Sequence, residues 1–264
     1  MNVCLKVIYT IVFVLVLLPG QSFCAGKQEI LQLALNRVNA AVRAGKSPVV
    51  IFDLDDTLFK VANRTREILL SYGREKAEDS YGFLMRIEAL PISSMQYSLT
   101  DNLTLIGVTD PADVEAINAY WGDRFFTSNW LIHDGLIPGA VDYVNRMAAV
   151  GAKIAYLTGR DVGRMEAGTI ARLKSDGFPL DSDQYRTFLK PNWETEDVIY
   201  KEDALRQIRE MGQIVACFDN EPRNTNLFKE KLPGALIVVV GDVHSPKSGR
   251  RLPGVLKVSD LIME

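Results

Sequence analysis

Apolar positions along the chain fall into two kinds of stretch. Short unbroken runs end abruptly in polar residues, and between them lie longer segments in which apolar residues return every three or four positions. The first run, Val49-Val50-Ile51-Phe52 after Pro48, is β-branched and aromatic and reads as a strand buried on both faces. Before it, Ile30, Leu33, Ala34, Val38 and Ala41 recur at helical spacing, and Gly45 with Pro48 ends the pattern. After it, residues 63–72 and 81–90 read as helices with Gly73 and Pro91 as stops. Asp110 and Pro111 mark the cap and first turn of a helix over 112–126. From there the alternation is regular: helix 140–149, strand 153–157, helix 161–175, strand 185–189, helix 202–211, strand 213–218, helix 224–231, strand 235–240 and a last short strand 255–258. Strands alternating with such helices predict an α/β fold of right-handed βαβ units on a parallel sheet.

Composition narrows the class. With 264 residues, 47% hydrophobic and 24% charged, the chain has the make-up of an ordinary globular protein. Its net charge of −3 argues against broad nucleic-acid binding, which needs basic surface. Lys6 precedes an apolar stretch over 7–18, followed by Pro19-Gly20 and small residues, the layout of a cleavable export signal over residues 1–24. That stretch is short for a membrane span, which needs roughly 20 apolar residues. The expectation is a periplasmic or secreted protein with no membrane attachment after cleavage; a lipid on Cys24 or an uncleaved anchor is the lesser alternative. Cleavage removes Cys4 and Cys24 and leaves Cys217, in an apolar run, as a small core residue outside any disulfide framework.

The strand over 49–52 ends in Asp53-Leu54-Asp55-Asp56-Thr57. In extended backbone Asp53 and Asp55 point the same way while Leu54 points back into the protein. Two like charges so close cannot both ionise freely unless a cation lies between them, so one acid can hold a proton while its neighbour stays ionised. The plainer alternative is a helix cap and a solvated turn. Two further runs also end in residues suited to phosphoryl chemistry, Leu157 into Thr158 and Phe218 into Asp219. In an open parallel sheet the carboxyl ends of the strands meet at one crevice, where ligands bind.

In these residues the chain resembles the haloacid dehalogenase (HAD) superfamily of phosphatases. Asp53, Asp55 and Thr57 match its Asp-x-Asp-x-Thr motif, Thr158 in Leu-Thr-Gly-Arg its second motif, Lys201 its lysine and Asp219 its final acidic motif. Lys190 competes with Lys201 for the lysine position. The final motif departs from the family, with Asn220, Glu221 and Asn224 where a second carboxylate often stands. The resemblance implies a three-layer, Rossmann-like catalytic core over 25–59 and 134–264, with a mainly helical cap inserted over 60–133.

The activity so implied is a Mg2+-dependent phosphatase, a hydrolase acting on small phosphomonoesters. Asp53 would be the nucleophile that forms an aspartyl-phosphate and Asp55 the general acid and base. Thr158, Gly159 and Lys201 would bind the phosphoryl group, with Thr158 and Lys201 counted as catalytic, and Asp53, Asp55 and Asp219 would hold the metal. The implied partner is a small phosphorylated molecule rather than a macromolecule. Dehalogenation is disfavoured because Asp55 is present. Phosphoryl transfer to an alcohol and a non-catalytic homologue that binds a phospholigand or protein remain alternatives. The aromatic cluster Tyr120, Trp121, Phe125, Phe126 and Trp130 is expected to serve helix packing before ligand stacking. His133 and His244 are expected to be loop residues, and Gly135 a hinge where the chain leaves the cap.

Overall fold

The computed structural model describes residues 26–77, 80–180 and 182–264; the expected export signal over 1–24 lies outside them. Helix α1 (Lys27–Arg43) leads into β1 (Pro48–Phe52), every residue of which is buried. A two-residue strand β2 (Phe59–Lys60) follows, and then helices α2 (Ala62–Glu75), α3 (Ser80–Ala89), α4 (Leu99–Leu105) and α5 (Pro111–Phe125). The chain returns through β3 (Gly135–Leu136), which pairs antiparallel with β2. The rest alternates: α6 (Ala140–Ala149), β4 (Lys153–Asp161), α7 (Val162–Ser175), β5 (Tyr185–Lys190), α8 (Asp197–Met211), β6 (Gln213–Asp219), α9 (Pro222–Lys231), β7 (Leu236–Val240) and β8 (Leu256–Val258).

Six strands form one parallel sheet in the order β5-β4-β1-β6-β7-β8. This is the expected α/β architecture, with a helical insertion of α2–α5 after β1. The two-residue side-chain period of a strand divides the interior in two. Val50 and Phe52 face a core shared with Ile30, Leu31 and Val38 of α1 and Tyr143 and Val144 of α6. Val49 and Ile51 face the opposite core, built with Leu205 and Ile208 of α8 and Phe228 of α9. Each fully buried aliphatic or aromatic side chain contributes about 1.5–3 kcal/mol by leaving water. Phe52 and Phe218 stack at 4.8 Å between ring centres, which locks β1 beside β6 just before the polar residues that end both strands. Cys217 is buried in the second core, as expected.

The insertion has a core of its own, built from Leu69, Leu70, Phe83, Ile87, Leu103 and Ile117. Three expectations need correction here. Gly73 does not stop α2, which runs on to Glu75. Instead a Cβ at Gly73 would fall 2.8 Å from the Phe83 and Leu84 side chains, so the glycine lets α3 approach. Helix α4 lies in a stretch without an expected element; the Ser98 side chain caps it by accepting the Asp101 N–H. Helix α8 starts at Asp197, not 202, which places Lys201 in its second turn rather than at its start.

Candidate active site

The register of the sheet brings distant polar residues to one rim. Phe52 pairs with both Tyr156 of β4 and Phe218 of β6, and the Asp53 N–H donates to the Phe218 carbonyl (2.9 Å). Asp53 and Asp219 therefore leave adjacent strands side by side, and Thr158 lies on the other neighbouring strand. Lys201, with 2% of its surface exposed, reaches in from α8. Its Nζ donates to Asp53 Oδ1 and to Asp219 Oδ2, both at 2.7 Å. Thr57 Oγ1 donates to Asp53 Oδ2 (3.2 Å), bracing the turn. Asp219 Oδ1 accepts the Glu221 N–H (2.8 Å), and the Asn224 amide donates to both Asp219 oxygens (3.2 Å).

The electrostatics of this triad are lopsided. Two carboxylates share one ammonium. Burial pushes the Asp53 carboxyl well above its ordinary range; Lys201 opposes the shift and Asp219 adds to it. Burial would lower the Lys201 ammonium, but the Asp219 and Asp53 charges outweigh it and hold the ammonium firmly protonated.

Asp55 lies in a second cluster. Arg160 Nη2 and Arg64 Nη2 donate to its Oδ1 at 2.7 and 3.0 Å, and Arg160 Nε donates to its Oδ2 at 3.1 Å. Both arginines also hold Asp134, Arg64 through Nε and Nη2 (2.7 and 2.8 Å) and Arg160 through Nη2 (2.8 Å). Burial would raise the Asp55 carboxyl, but Arg160 first and Arg64 second hold it well below the usual carboxylate range. The side chain keeps 36% of its surface open, so it stays reachable from the cavity. The expected general acid is thus ionised and clamped between two guanidiniums. Arg64, Arg160 and Asp134 were absent from the expected site. Arg160 follows Thr158-Gly159 directly and was open to suspicion, whereas Arg64 and Asp134 carry no local signal.

Thr158 is fully buried, and its Oγ1 accepts the Arg160 N–H (3.2 Å), so the hydroxyl folds back on its own loop. Gly159 lines the cavity instead. A Cβ there would lie 2.5 Å from the Asp197 carboxylate, so a larger residue would displace that side chain at the start of α8. Lys190 is committed elsewhere, donating to the Thr195 carbonyl (3.0 Å) and pairing with Asp197 (2.8 Å). Of the two lysines, Lys201 is the one joined to Asp53. His244 sits in a loop as expected and contacts the Ser245 carbonyl, whereas His133, exposed and packed on Trp130, ends a short 3-10 helix (Ser128–His133) rather than lying in a loop. A Cβ at Gly135 would fall 2.7 Å from the Asn63 side chain, so this glycine serves close approach at the base of the insertion.

A cavity of about 230 Å3 opens over Asp53, Asp55 and Lys201. Its far wall is aromatic: Trp121 and Phe125 of α5, with Phe126, are half-buried and line it. Tyr120 packs as expected, against Tyr72 of α2, while Trp130 meets His133 within the same short 3-10 helix. The other three do not serve helix packing alone. Weak amphipathicity along α5 gave no sign of which rings would turn toward the sheet.

Among the described residues no group of three or more His, Cys, Asp or Glu side chains gathers as a metal site. What the rim offers is a set of hard oxygen donors, Asp53 and Asp219, together with a shortage of positive charge between them. Both features suit a small divalent cation completed by backbone and water oxygens.

No protein-family model and no curated protein matches the chain. Among solved structures, it is similar to a HAD-superfamily hydrolase from Ehrlichia chaffeensis, at 14% identity over 81% of this chain and 91% of that one, with a TM-score of 0.48. It is also similar to protein tyrosine kinase A from Mycobacterium tuberculosis (18% identity, 82% and 95% covered, TM-score 0.48). A third is the class C acid phosphatase from Bacillus anthracis (16% identity, 74% and 63% covered, TM-score 0.40).

Proposed function

We propose that the protein is a Mg2+-dependent phosphatase that hydrolyses small phosphomonoesters through Asp53. The observation that carries this is the buried Asp53–Lys201–Asp219 triad, of which Asp53 and Lys201 line an open cavity. A buried carboxylate braced by a lysine is a nucleophile with its position already set. Asp53, Asp219 and the main-chain carbonyl of Asp55 would hold Mg2+, which when bound supplies positive charge for the phosphoryl oxygens.

The chain's own groups do the rest. An Asp53 oxygen attacks phosphorus as the bond to the leaving oxygen breaks, giving an aspartyl-phosphate and an alkoxide that needs a proton. Lys201 offsets the charge gathering on Asp53 and the phosphoryl group. Asp55, having first taken up a proton from solvent, gives it to the leaving oxygen, then takes one from the water whose attack opens the aspartyl-phosphate and restores the Asp53 carboxylate. The clamp on Asp55 imposes an order on this sequence. A phosphoryl dianion beside Arg64 and Arg160 competes for their N–H groups, and only an Asp55 so released gains affinity for a proton.

The test is phosphate release from p-nitrophenyl phosphate with and without Mg2+. Turnover that needs the ion and falls at least about 10³-fold in Asp53→Asn supports the assignment; turnover indifferent to that substitution rejects it. The double ion pair on Asp55 favours one other reading, a protein that binds a phosphorylated ligand without turning it over. Binding of inorganic phosphate with no hydrolysis across a panel of esters would select that reading. Export through residues 1–24 belongs to the proposal, and the N-terminal sequence of protein recovered outside the cytoplasm checks it.

A further inference from the structure

The cavity has two chemically distinct sides joined by one side chain. Arg64 Nη2 lies 3.0 Å from Asp55 Oδ1, while the Arg64 guanidinium carbon sits 4.3 Å from the centre of the Phe125 ring. One guanidinium therefore touches both the Asp55 carboxylate and the aromatic wall.

The wall is tied together by its own contacts. Trp121 Nε1 donates to Thr65 Oγ1 (3.2 Å), which fixes the indole. Phe125 stacks on Trp121 at 4.2 Å and 27°, and Phe126 meets both rings edge-on at 5.6 and 5.0 Å. Trp193, from the loop before α8, meets Phe126 in the same way at 4.7 Å. The insertion fills its own core with Leu69, Phe83, Ile87 and Ile117, yet leaves Trp121, Phe125 and Phe126 only half-buried toward the cavity. Packing between helices alone would have buried them. Apolar wall, fixed rings and a charged floor are what a ligand with one flat end and one anionic end requires. At about 230 Å3 the space admits a single small ring.

We propose that the site selects phosphate esters whose organic part is one flat ring joined to the phosphoryl oxygen through a short link, with the ring held against Phe126 and Trp121. The proposal rests on the phosphatase reading for the placement of the phosphoryl group on the floor.

Calorimetric binding to the full chain with Mg2+ present tests it, using benzylphosphonate and cyclohexylmethylphosphonate. The two share an anionic group and are similar in bulk, and only one is flat. The flat compound should bind about three- to tenfold more tightly. That preference should vanish in Phe126→Leu and in Trp121→Leu and survive in Phe126→Tyr, with thermal melts confirming that each variant folds. Equal affinity for the two compounds, no binding of either, or a preference that survives both leucine variants overturns the proposal. Turnover of benzyl phosphate is followed separately. A ring preference in binding without turnover removes the phosphatase reading and leaves this one standing; turnover without the preference does the reverse.

Discussion

Two buried charge clusters share one cavity and differ in their balance. Asp53, Lys201 and Asp219 set two carboxylates against one ammonium. Asp55, Asp134, Arg64 and Arg160 set two carboxylates against two guanidiniums. The first is assembled wholly from the sheet and its covering helix α8. The second ties the insertion to the sheet, because Arg64 lies in α2 while Arg160 is the penultimate residue of β4. Buried pairs add little net stability when balanced, but breaking one leaves an uncompensated charge at high cost. A deficit that persists in the folded protein thus points to a site waiting for a cation, and a closed balance points to a joint. On the proposed reading, the first cluster receives a cation and the second holds the insertion to the sheet.

The sharpest way to break this comparison is Lys201→Met. It removes the sole cation of the first cluster and leaves Asp53 and Asp219 facing each other. Hydrolysis should fall by about 10³-fold or more, and urea unfolding should show a loss of about 3–5 kcal/mol. Saturating Mg2+ should recover part of that stability, because the ion restores positive charge. No recovery would mean that the two carboxylates do not form a cation site.

Asp134→Asn tests the second cluster and should act differently. It strips a charge that accepts from Arg64 and Arg160 and leaves Asp55 as the one carboxylate paired with both guanidiniums. The expected loss is about 2–4 kcal/mol, with no recovery on adding Mg2+. Because Asp134 touches neither Asp53 nor Lys201, turnover should fall far less than in Lys201→Met. Equal losses of turnover in the two variants would erase the distinction between receiving and holding.

How much of this was legible in the sequence follows from the range of the interactions. Asp53 and Asp219 stood out because an unbroken apolar run that stops at a carboxylate is a local signal, and the parallel topology places such stops together. Lys201 was found by its order along the chain, although its helix begins earlier than the apolar pattern suggested. The α2–α5 insertion lies where the resemblance implied a helical cap. Arg64 was not visible at all: an arginine in the first turn of a helix has no signature, and its partner Asp134 is set by tertiary folding. The aromatic wall was misjudged for the related reason that composition shows a cluster of rings but not the side they face. Thr158 was placed correctly on its strand, yet its hydroxyl turned to its own loop, a choice made by a single backbone N–H.

Asp56 qualifies the balance of the second cluster, and its titration is the finest test of it. This residue is 7% exposed and adopts the left-handed conformation (φ 52°), with its Oδ1 accepting the Val61 N–H (3.3 Å). Burial first, and the Asp55 charge second, push its carboxyl up to about 7. The count of two against two holds only while Asp56 keeps its proton. An unfolded aspartate releases that proton near pH 3.9, so the folded state binds more protons between about pH 4 and pH 7. This contribution to stability is complete below that window and is lost as the pH rises through it. Asn tolerates the same left-handed backbone and carries no charge. Metal-free Asp56→Asn should therefore match the wild type in urea unfolding at pH 4 and exceed it by about 1–3 kcal/mol at pH 8. A stability difference that stays constant across that range would show that Asp56 is ionised in the folded protein throughout, and the joint would then carry an excess of negative charge.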